Sequence, residues 1–219
     1  MITRFVGDIH GSYPMLSVFD DGVRPTVQLG DFNLYGYKDW FTSTIHGTVT
    51  NSFDFKYPVH FVDGNHEAFP LLDTNSAEIQ RVGKNLHYIP RGYVSGNVMF
   101  IGGADSIDKS LRTPGKDWFP EESISQRQFY RITDIQEYIE VIVSHEAPLD
   151  FIRTVMKPKR MPSSLVMNQI FEIFKPKLWI FGHHHRSINE SFNDCRMVGL
   201  NSGEVVEIDV PVGEDLKIK

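Results

Sequence analysis

The chain has 219 residues, 41% of them hydrophobic and 23% charged, which excludes a disordered or fibrous protein and predicts a single domain over residues 1–219. Its formal net charge of −6 disfavours strong non-specific binding to nucleic acid, because most of the surface should repel a polyanion. The apolar runs are strand-sized, which argues against a membrane span, and a single cysteine, Cys195, excludes an internal disulfide and fits a reducing compartment.

The first predicted strand covers residues 2–6 and is followed by Asp8 and His10. Two residues apart on an extended chain, these side chains should point the same way, which suits two ligands of one metal ion. A helix is expected to begin near Ser12 and to bury Leu16. Because the strand runs directly into this motif, it leaves no room for a signal segment, and we expect a cytoplasmic protein.

The next two predicted strands also end in polar side chains. Residues 26–29 lead to Asp31, whose two carboxylate oxygens can bridge two cations. Residues 58–62 lead to Asn65 and His66, which offer an oxygen ligand and a proton donor. Both turns lie at the carboxyl end of a strand, where open α/β sheets place their chemistry.

The middle of the chain changes from helical to strand patterns. Residues 36–57 predict a helix followed by a loop, and residues 76–82 predict a capped helix that ends at Gly83. Three strand-like runs follow, and they are expected to form a meander that leads into a second sheet: 86–89, 92–94 and 98–103.

Residues 104–122 are predicted to form a long structured loop, because proline and glycine interrupt any regular pattern. Long loops inside compact domains tend to be functional. This one carries three cationic side chains, Lys109, Arg112 and Lys116. We expect its residues 104–118 to set substrate preference; the alternative is a solvated cover that makes no contact with substrate.

The last part of the chain alternates helices and strands. The predicted elements are a helix over 125–135, a strand over 140–143 before His145, a helix from Pro162 to Phe174, and a strand over 178–181 before Gly182 and three histidines. The tail, residues 197–208, is expected to form a closing hairpin around Asn201, Ser202 and Gly203.

Five of these stretches place metal-capable side chains after an apolar run. They read Gly7-Asp8-Ile9-His10, Gly30-Asp31, Gly64-Asn65-His66-Glu67, Ser144-His145 and Gly182-His183-His184-His185. Their order resembles the calcineurin-like metallophosphoesterase superfamily, in particular its single-domain bacterial and phage members, over residues 7–185. The resemblance implies an α/β fold, a four-layer α/β/β/α sandwich of two mixed sheets flanked by helices, and a metal-dependent phosphoric ester hydrolase.

The resemblance also implies two divalent transition metal ions. One would be held by Asp8, His10 and His185 and the other by Asn65, His145 and His183, with Asp31 bridging them. Nitrogen and oxygen ligands suit manganese, the first expectation, or iron, zinc or nickel. A metal-bridging hydroxide would attack a phosphate mono- or diester, with Asp31 and His66 as the catalytic residues and His66 as the acid beside the leaving oxygen.

The chain departs from the family pattern at the positions whose side chains bind phosphate in protein phosphatases. Protein Ser/Thr phosphatases of the family place an arginine just before Gly-Asn-His-Glu and an Asp-Arg pair after the second Gly-Asp, whereas this chain has Asp63 and Leu34-Tyr35 there. The candidate substitutes are Arg91, Arg112 and Arg186, with Lys109 as a further substrate contact.

Three alternatives therefore remain beside a general phosphoesterase. They are a Ser/Thr-type protein phosphatase, a nucleotide or nucleic-acid phosphodiesterase, and a non-enzymatic scaffold of the retromer type. The acidic net charge favours a small nucleotide or another small phosphorylated molecule over a long polymer. A scaffold is disfavoured because every position of the motif set is intact.

Overall fold

The computed structural model of the protein describes residues 2–12, 23–33, 55, 57–156, 162–210, 212 and 216. The helix expected to begin near Ser12 and the helix and loop expected over 36–57 lie almost entirely outside these residues. Within the described part of the chain, no helix is long and apolar enough to cross a membrane.

Twelve strands and three α-helices form the described fold. The strands are β1 (Ile2–Val6), β2 (Thr26–Gln28), β3 (Val59–Phe61), β4 (Gln80–Gly83), β5 (Leu86–Tyr88), β6 (Tyr93–Ser95), β7 (Val98–Ile101), β8 (Val141–Ser144), β9 (Leu178–Phe181), β10 (Ile188–Phe192), β11 (Cys195–Gly199) and β12 (Val205–Asp209). The helices are α1 (Gln126–Thr133), α2 (Leu149–Phe151) and α3 (Pro162–Phe174), and a short π-helical segment, Ile152–Met156, follows α2.

The strands make two mixed six-stranded sheets, with the orders β12-β1-β2-β3-β5-β4 and β10-β11-β9-β8-β7-β6. The central strands of each sheet are parallel, and the antiparallel strands lie at the edges. Parallel strands bring their carboxyl ends to one edge of a sheet, and ligands of α/β proteins bind at that edge. The loops after β1, β2, β3, β8 and β9 are the ones that carry the five motifs.

Alternating side chains of the parallel strands serve two different cores. In β8, Val143 points into the core between the sheets, where it joins Phe5 of β1. Its neighbour Ile142 points outward and packs with Ile132 of α1 and Ile170 of α3. Both faces of these strands are buried, as expected for parallel strands covered on each side. The α/β fold is therefore confirmed, and the two sheets with helices packed on one of them are consistent with the predicted sandwich.

The helix predicted over residues 76–82 is wrong. Ser76 does not cap a helix: its hydroxyl accepts a hydrogen bond from the backbone N–H of Glu78 and closes a local turn. The chain then continues as β4, which pairs antiparallel with β5 through a turn in which Asn85 has a φ of 55°. A serine that bonds its own turn competes with helix formation, and pairing at the sheet edge then decides for a strand.

The hairpin predicted around residues 201–203 is also wrong. The two strands that flank this turn, β11 and β12, belong to different sheets, and β12 pairs with β1 instead. The hairpin in this region joins β10 to β11. Its turn residues Asn193 and Asp194 have φ angles of 47° and 62°, the positive values that a tight two-residue hairpin turn requires.

Candidate metal centre

One group of potential ligands, here called the first ligand group, consists of Asp8, His10 and His185. His185 Nε2 lies 2.9 Å from Asp8 Oδ2 and 2.9 Å from His10 Nε2. Donor atoms that share one ion at about 2.1 Å lie roughly 3 to 3.5 Å from one another, so these atoms are spaced to share an ion. Asp8 Oδ2 is buried, and its near contact is His185 Nε2, so the oxygen and the two imidazole nitrogens converge on one point where an ion can bind.

The second ligand group consists of Asn65, His145 and His183. His145 Nε2 lies 3.4 Å from Asn65 Oδ1, and its ring stands edge-on to that of His183 at a centroid distance of 4.8 Å. His145 Nδ1 donates a hydrogen bond to the Leu29 carbonyl oxygen at 2.6 Å. With the proton held on Nδ1, the lone pair of Nε2 is directed at the centre of the group, as in most histidine ligands.

Asp31 lies between the two groups. Its Oδ2 is 3.7 Å from His10 Nδ1, and its Oδ1 is 3.5 Å from His145 Nε2. Burial alone would raise the pKa of this carboxyl group, but the charges of His145, His66 and two further histidines outweigh burial and lower the pKa to about 2. Asp31 is therefore charged at neutral pH and presents one oxygen to each group.

The backbone around the ligands differs from the extended geometry that the sequence predicted. His10, Asp31, His183 and His185 have φ angles of 48°, 55°, 62° and 48°, in the left-handed region. Such residues cost on the order of 1 kcal/mol or more each and tend to mark functional sites. Tight turns after the strands therefore aim these side chains, and the extended geometry predicted for Asp8 and His10 is wrong.

Two glycines leave room for the ligands. A β-carbon on Gly64 would lie 2.1 Å from Asp31 Oδ1 and 2.8 Å from His145 Nε2. A β-carbon on Gly30, whose φ is 92°, would lie 2.4 Å from His145 Nδ1. Any larger residue at either position would displace Asp31 or His145.

His66 lies at the edge of this centre. Its backbone N–H donates to Asp31 Oδ1 at 2.8 Å, and its ring centroid is 5.3 Å from that of His10. Burial and the neighbouring Arg112, against the opposing charge of Asp31, lower the pKa of His66 to about 4. His66 also groups with His10 and Asp31 as potential metal ligands, so its assignment as a residue that binds no metal stays a prediction.

Of the cationic candidates for substrate contact, Arg112 reaches His66. Its two Nη atoms lie 3.2 Å from the two ring nitrogens of His66, one each. Asp108 Oδ1 accepts a hydrogen bond from Arg112 Nε at 2.8 Å and holds the guanidinium in place. Lys109 instead lies over the ring of Trp118, 4.2 Å from its centroid, and Arg186 is exposed in the loop after His185.

Arg91 is withdrawn as a candidate for gripping phosphate. The side chain is 1% exposed, and its Nε donates to Asp63 Oδ2 at 3.0 Å. Its remaining N–H groups donate to backbone carbonyls at the end of the 104–122 loop and to Gln128. Sequence spacing cannot distinguish this buried structural arginine from one that faces a substrate.

Two buried glutamate side chains that sequence reasoning missed support the candidate ligands. Glu67 accepts hydrogen bonds from the backbone N–H groups of Phe32 and Asn33 at 2.7 and 2.9 Å, and so anchors the loop that follows Asp31. The signal was present in the sequence, because Glu67 belongs to the Gly-Asn-His-Glu motif itself.

The second missed carboxylate, Glu146, follows His145 directly. Its Oε1 accepts a hydrogen bond from His184 at 2.7 Å, and its Oε2 lies 3.7 Å from His183 Nε2. Burial would raise the pKa of Glu146, but the charges of His183 and His184 lower it to about 2. Burial lowers the pKa of His183 to about 4, which leaves a neutral imidazole at pH 7, the form that binds a metal.

Comparison with known proteins agrees with this geometry. Residues 3–187 match the calcineurin-like phosphoesterase family. No curated protein matches the chain. Among solved structures it is similar to GAP50, described as the anchor in the inner membrane complex of Plasmodium, with a TM-score of 0.41 and 12% identity over 92% of this chain and 72% of that one. On the family match, the chain belongs to the calcineurin-like phosphoesterases, which are metal-dependent hydrolases of phosphate esters.

Proposed function

We propose that the protein is a dinuclear phosphoesterase that hydrolyses small phosphate mono- or diesters. One observation carries the proposal: the two oxygens of Asp31 face different ligand groups, Oδ2 toward His10 at 3.7 Å and Oδ1 toward His145 at 3.5 Å. A carboxylate placed in this way can bridge two cations. We assign one ion to the first ligand group and one to the second.

The donor set fits divalent transition metals. All seven proposed ligands offer nitrogen or oxygen, which suits manganese first and iron, zinc or nickel as alternatives. When bound, two such ions supply an activated water and neutralise the charge on the phosphoryl oxygens. The buried carboxyl groups of Asp8 and Asp31 lie among histidine side chains, so the centre offers clustered oxygen and nitrogen donors that suit a cation.

The side chains around the ligands have their own tasks. Arg112, fixed by Asp108, presents guanidinium N–H groups beside His66, where they can bind a phosphoryl oxygen. We propose His66, whose backbone N–H binds Asp31, as the proton donor to the leaving oxygen; because its pKa of about 4 leaves the ring neutral at pH 7, this role requires the negative charge of the bound phosphate to raise that pKa. Glu67 and Glu146 keep the Asp31 loop and His183 in position.

The cationic groups favour a small substrate. Protein phosphatases of the family bind phosphate with paired arginines. Arg91 is held by Asp63 and so does not pair with Arg112 in this way. Together with the net charge of −6, this supports a small nucleotide or another small phosphorylated molecule rather than a phosphoprotein or a nucleic-acid polymer. We further propose a cytoplasmic protein, in keeping with its single, buried cysteine.

We expect the purified protein to bind two Mn²⁺ ions per chain and to lose hydrolytic activity to a chelator, because Asp31 joins two complete ligand groups. Calorimetric titration with Mn²⁺ gives the stoichiometry. Parallel assays with nitrophenyl phosphate and bis(nitrophenyl) phosphate separate monoesterase from diesterase activity. A stoichiometry well below two at saturation would contradict the dinuclear assignment, and two ions without hydrolysis of either ester would favour the scaffold alternative.

We expect Arg112→Ala to lower kcat/KM for a small phosphate monoester by about 10- to 100-fold, the loss of one charged hydrogen bond to phosphate. The metal content should not change, because Arg112 touches no proposed ligand. Arg127→Ala, which removes an exposed arginine of α1, is the matched control and should behave like the parent protein. Equal kinetics of the two variants would show that the 104–122 loop does not contact the substrate through Arg112.

A further inference from the structure

Asn65 differs from the other proposed ligands because its side chain has two nearly isosteric ends. The amide oxygen can bind a cation, whereas the NH₂ group cannot, and a half-turn about the terminal bond exchanges them. In the structure, Asn65 Oδ1 lies 3.4 Å from His145 Nε2, inside the second ligand group. Some contact on the other side of the amide must therefore hold the oxygen in this orientation.

That contact comes from Ser106, in the loop over 104–122. Asn65 Nδ2 donates a hydrogen bond to Ser106 Oγ at 3.1 Å. A serine hydroxyl has one hydrogen of its own and could equally donate to an amide oxygen, so Ser106 alone would accept either orientation of Asn65.

Glu122 removes this ambiguity. The Ser106 hydroxyl donates its single hydrogen to Glu122 Oε2 at 2.7 Å, and the Ser106 backbone N–H approaches the same oxygen at 3.3 Å. Burial raises the pKa of Glu122 to about 7, but the backbone N–H of Ser106 keeps Oε2 an acceptor in either protonation state. The Ser106 hydroxyl therefore donates to Glu122, and its Oγ accepts from the NH₂ end of Asn65.

All three groups are shielded from water. Asn65, Ser106 and Glu122 are 5%, 7% and 1% exposed. Water therefore does not compete for these hydrogen bonds, and a reversed amide would leave a buried polar atom unsatisfied at a cost of about 1–3 kcal/mol. Both hydrogen bonds thus have one direction: Asn65 donates to Ser106, and Ser106 donates to Glu122.

We propose that Ser106 and Glu122 are positioning residues that hold the amide oxygen of Asn65 toward the second ligand group and thereby set the affinity for the second ion. The inference rests on the proposed assignment of Asn65 as a ligand. Ser106 and Glu122 lie near the two ends of the 104–122 loop, so the ends of this loop would help to retain the second ion. Arg112, in the middle of the loop, is proposed to contact the substrate.

The test is calorimetric titration of the metal-free, full-length protein with Mn²⁺. Ser106→Ala should weaken binding of one ion by about 10- to 100-fold, the usual effect of losing an outer hydrogen bond to a ligand, and leave the other ion unchanged. Ser106→Thr keeps the hydroxyl and should bind both ions as the parent does. Thermal unfolding of each variant establishes that the fold is retained.

A second pair of variants tests the direction of the hydrogen bonds. Glu122→Gln keeps an oxygen that can accept from Ser106 and should bind both ions nearly as well as the parent. Glu122→Leu frees the Ser106 hydroxyl to donate to Asn65 Oδ1 and should weaken one ion, as Ser106→Ala does. Equal affinities of these two variants for both ions would overturn the role of Glu122.

Asn65→Ala separates failure of this inference from failure of the proposed ligand set. If Asn65→Ala binds both ions normally, Asn65 is not a ligand. Its assignment to the second ligand group and the positioning role of Ser106 and Glu122 are then both wrong. If Asn65→Ala loses one ion while Ser106→Ala keeps both, the ligand set stands and the positioning role is wrong. Equal weakening of both ions in Ser106→Ala, with a lower Tm, would show that Ser106 supports the fold and not one ligand.

Discussion

Replacing Asp31 by asparagine should reduce kcat/KM by on the order of a thousandfold or more, the largest loss that we expect from any single change in the centre. The substitution keeps the shape of the side chain and removes its charge. Two divalent ions about 3.5–4 Å apart repel each other strongly, and a bridging carboxylate offsets that repulsion. An amide offers one neutral oxygen and cannot serve both ligand groups, so Asp31→Asn should hold at most one ion tightly.

Asp8→Asn is the matched control. Asp8 Oδ2 lies 2.9 Å from His185 and belongs to the first ligand group only, so its loss should weaken one ion and spare the other. Metal analysis after gel filtration, together with Mn²⁺ titration, distinguishes the two variants. If Asp31→Asn retained two tightly bound ions, Asp31 would not be the bridge. The approach of its two oxygens to the two ligand groups would then give no support to a dinuclear centre.

The strands that precede the motifs, β1, β2, β3, β8 and β9, could be predicted from sequence because they are short apolar runs bounded by turn residues, whereas the polar edge strands β4 and β10 were not predicted. Residues 141–144 and 178–181 illustrate this, since both are buried on two faces and both end in a motif that carries a ligand. The order of the strands in the two sheets could not be read in the same way. The strand order depends on pairings between segments far apart in the sequence, such as β12 with β1, and no local sequence pattern indicates these pairings.

The two wrong elements have this origin, and so does the expected meander, since its first strand, β5, pairs with β3 and β4 in the first sheet and only β6 and β7 form a hairpin in the second. Residues 76–82 contain good helix formers, yet β4 forms because the edge of β5 is available to it. Residues 197–208 read as a hairpin because two strand patterns flank a turn sequence, yet the strands on either side pair in different sheets. In each case a tertiary contact overrides a correct local propensity.

The side chains of the candidate site could be named from the motifs, whereas their role as metal ligands stays a prediction. The order of the motifs pointed to Asp8, Asp31 and His145, and the structure brings them to one place. The supporting contacts were not predictable, because Ser106 reaches Asn65 across 41 positions of sequence. Arg91 and Arg112 could not be told apart either, since one meets Asp63 and the other His66 only after folding.

Replacing His66 by asparagine should leave both ions bound and slow hydrolysis by an amount that depends on the leaving group. An alkyl phosphate releases an alkoxide that needs a proton, so its kcat should fall by about 10²- to 10⁴-fold, the range of general acid catalysis. A nitrophenyl phosphate releases a stable phenolate, and its kcat should fall by less than about tenfold. The ratio of the two losses, measured on the metal-loaded enzyme, is the quantity that reports proton donation.

Arg112 provides the comparison that makes this ratio informative. Its guanidinium lies against both ring nitrogens of His66, so the two residues occupy the same part of the site. Arg112→Ala removes a contact to phosphate, which both esters share, and should lower kcat/KM for both by the same factor. A leaving-group dependence confined to the His66 variant would therefore assign the proton to His66 itself.

Two results would contradict this role, and they point to different corrections. Equal losses for both esters would mean that His66 positions the phosphate, together with Arg112, and transfers no proton. Loss of an ion from the His66 variant would place His66 among the ligands, in the group that it forms with His10 and Asp31. Arg112 would then lie against a metal ligand, and the proton for the leaving oxygen would have to come from another group in the centre.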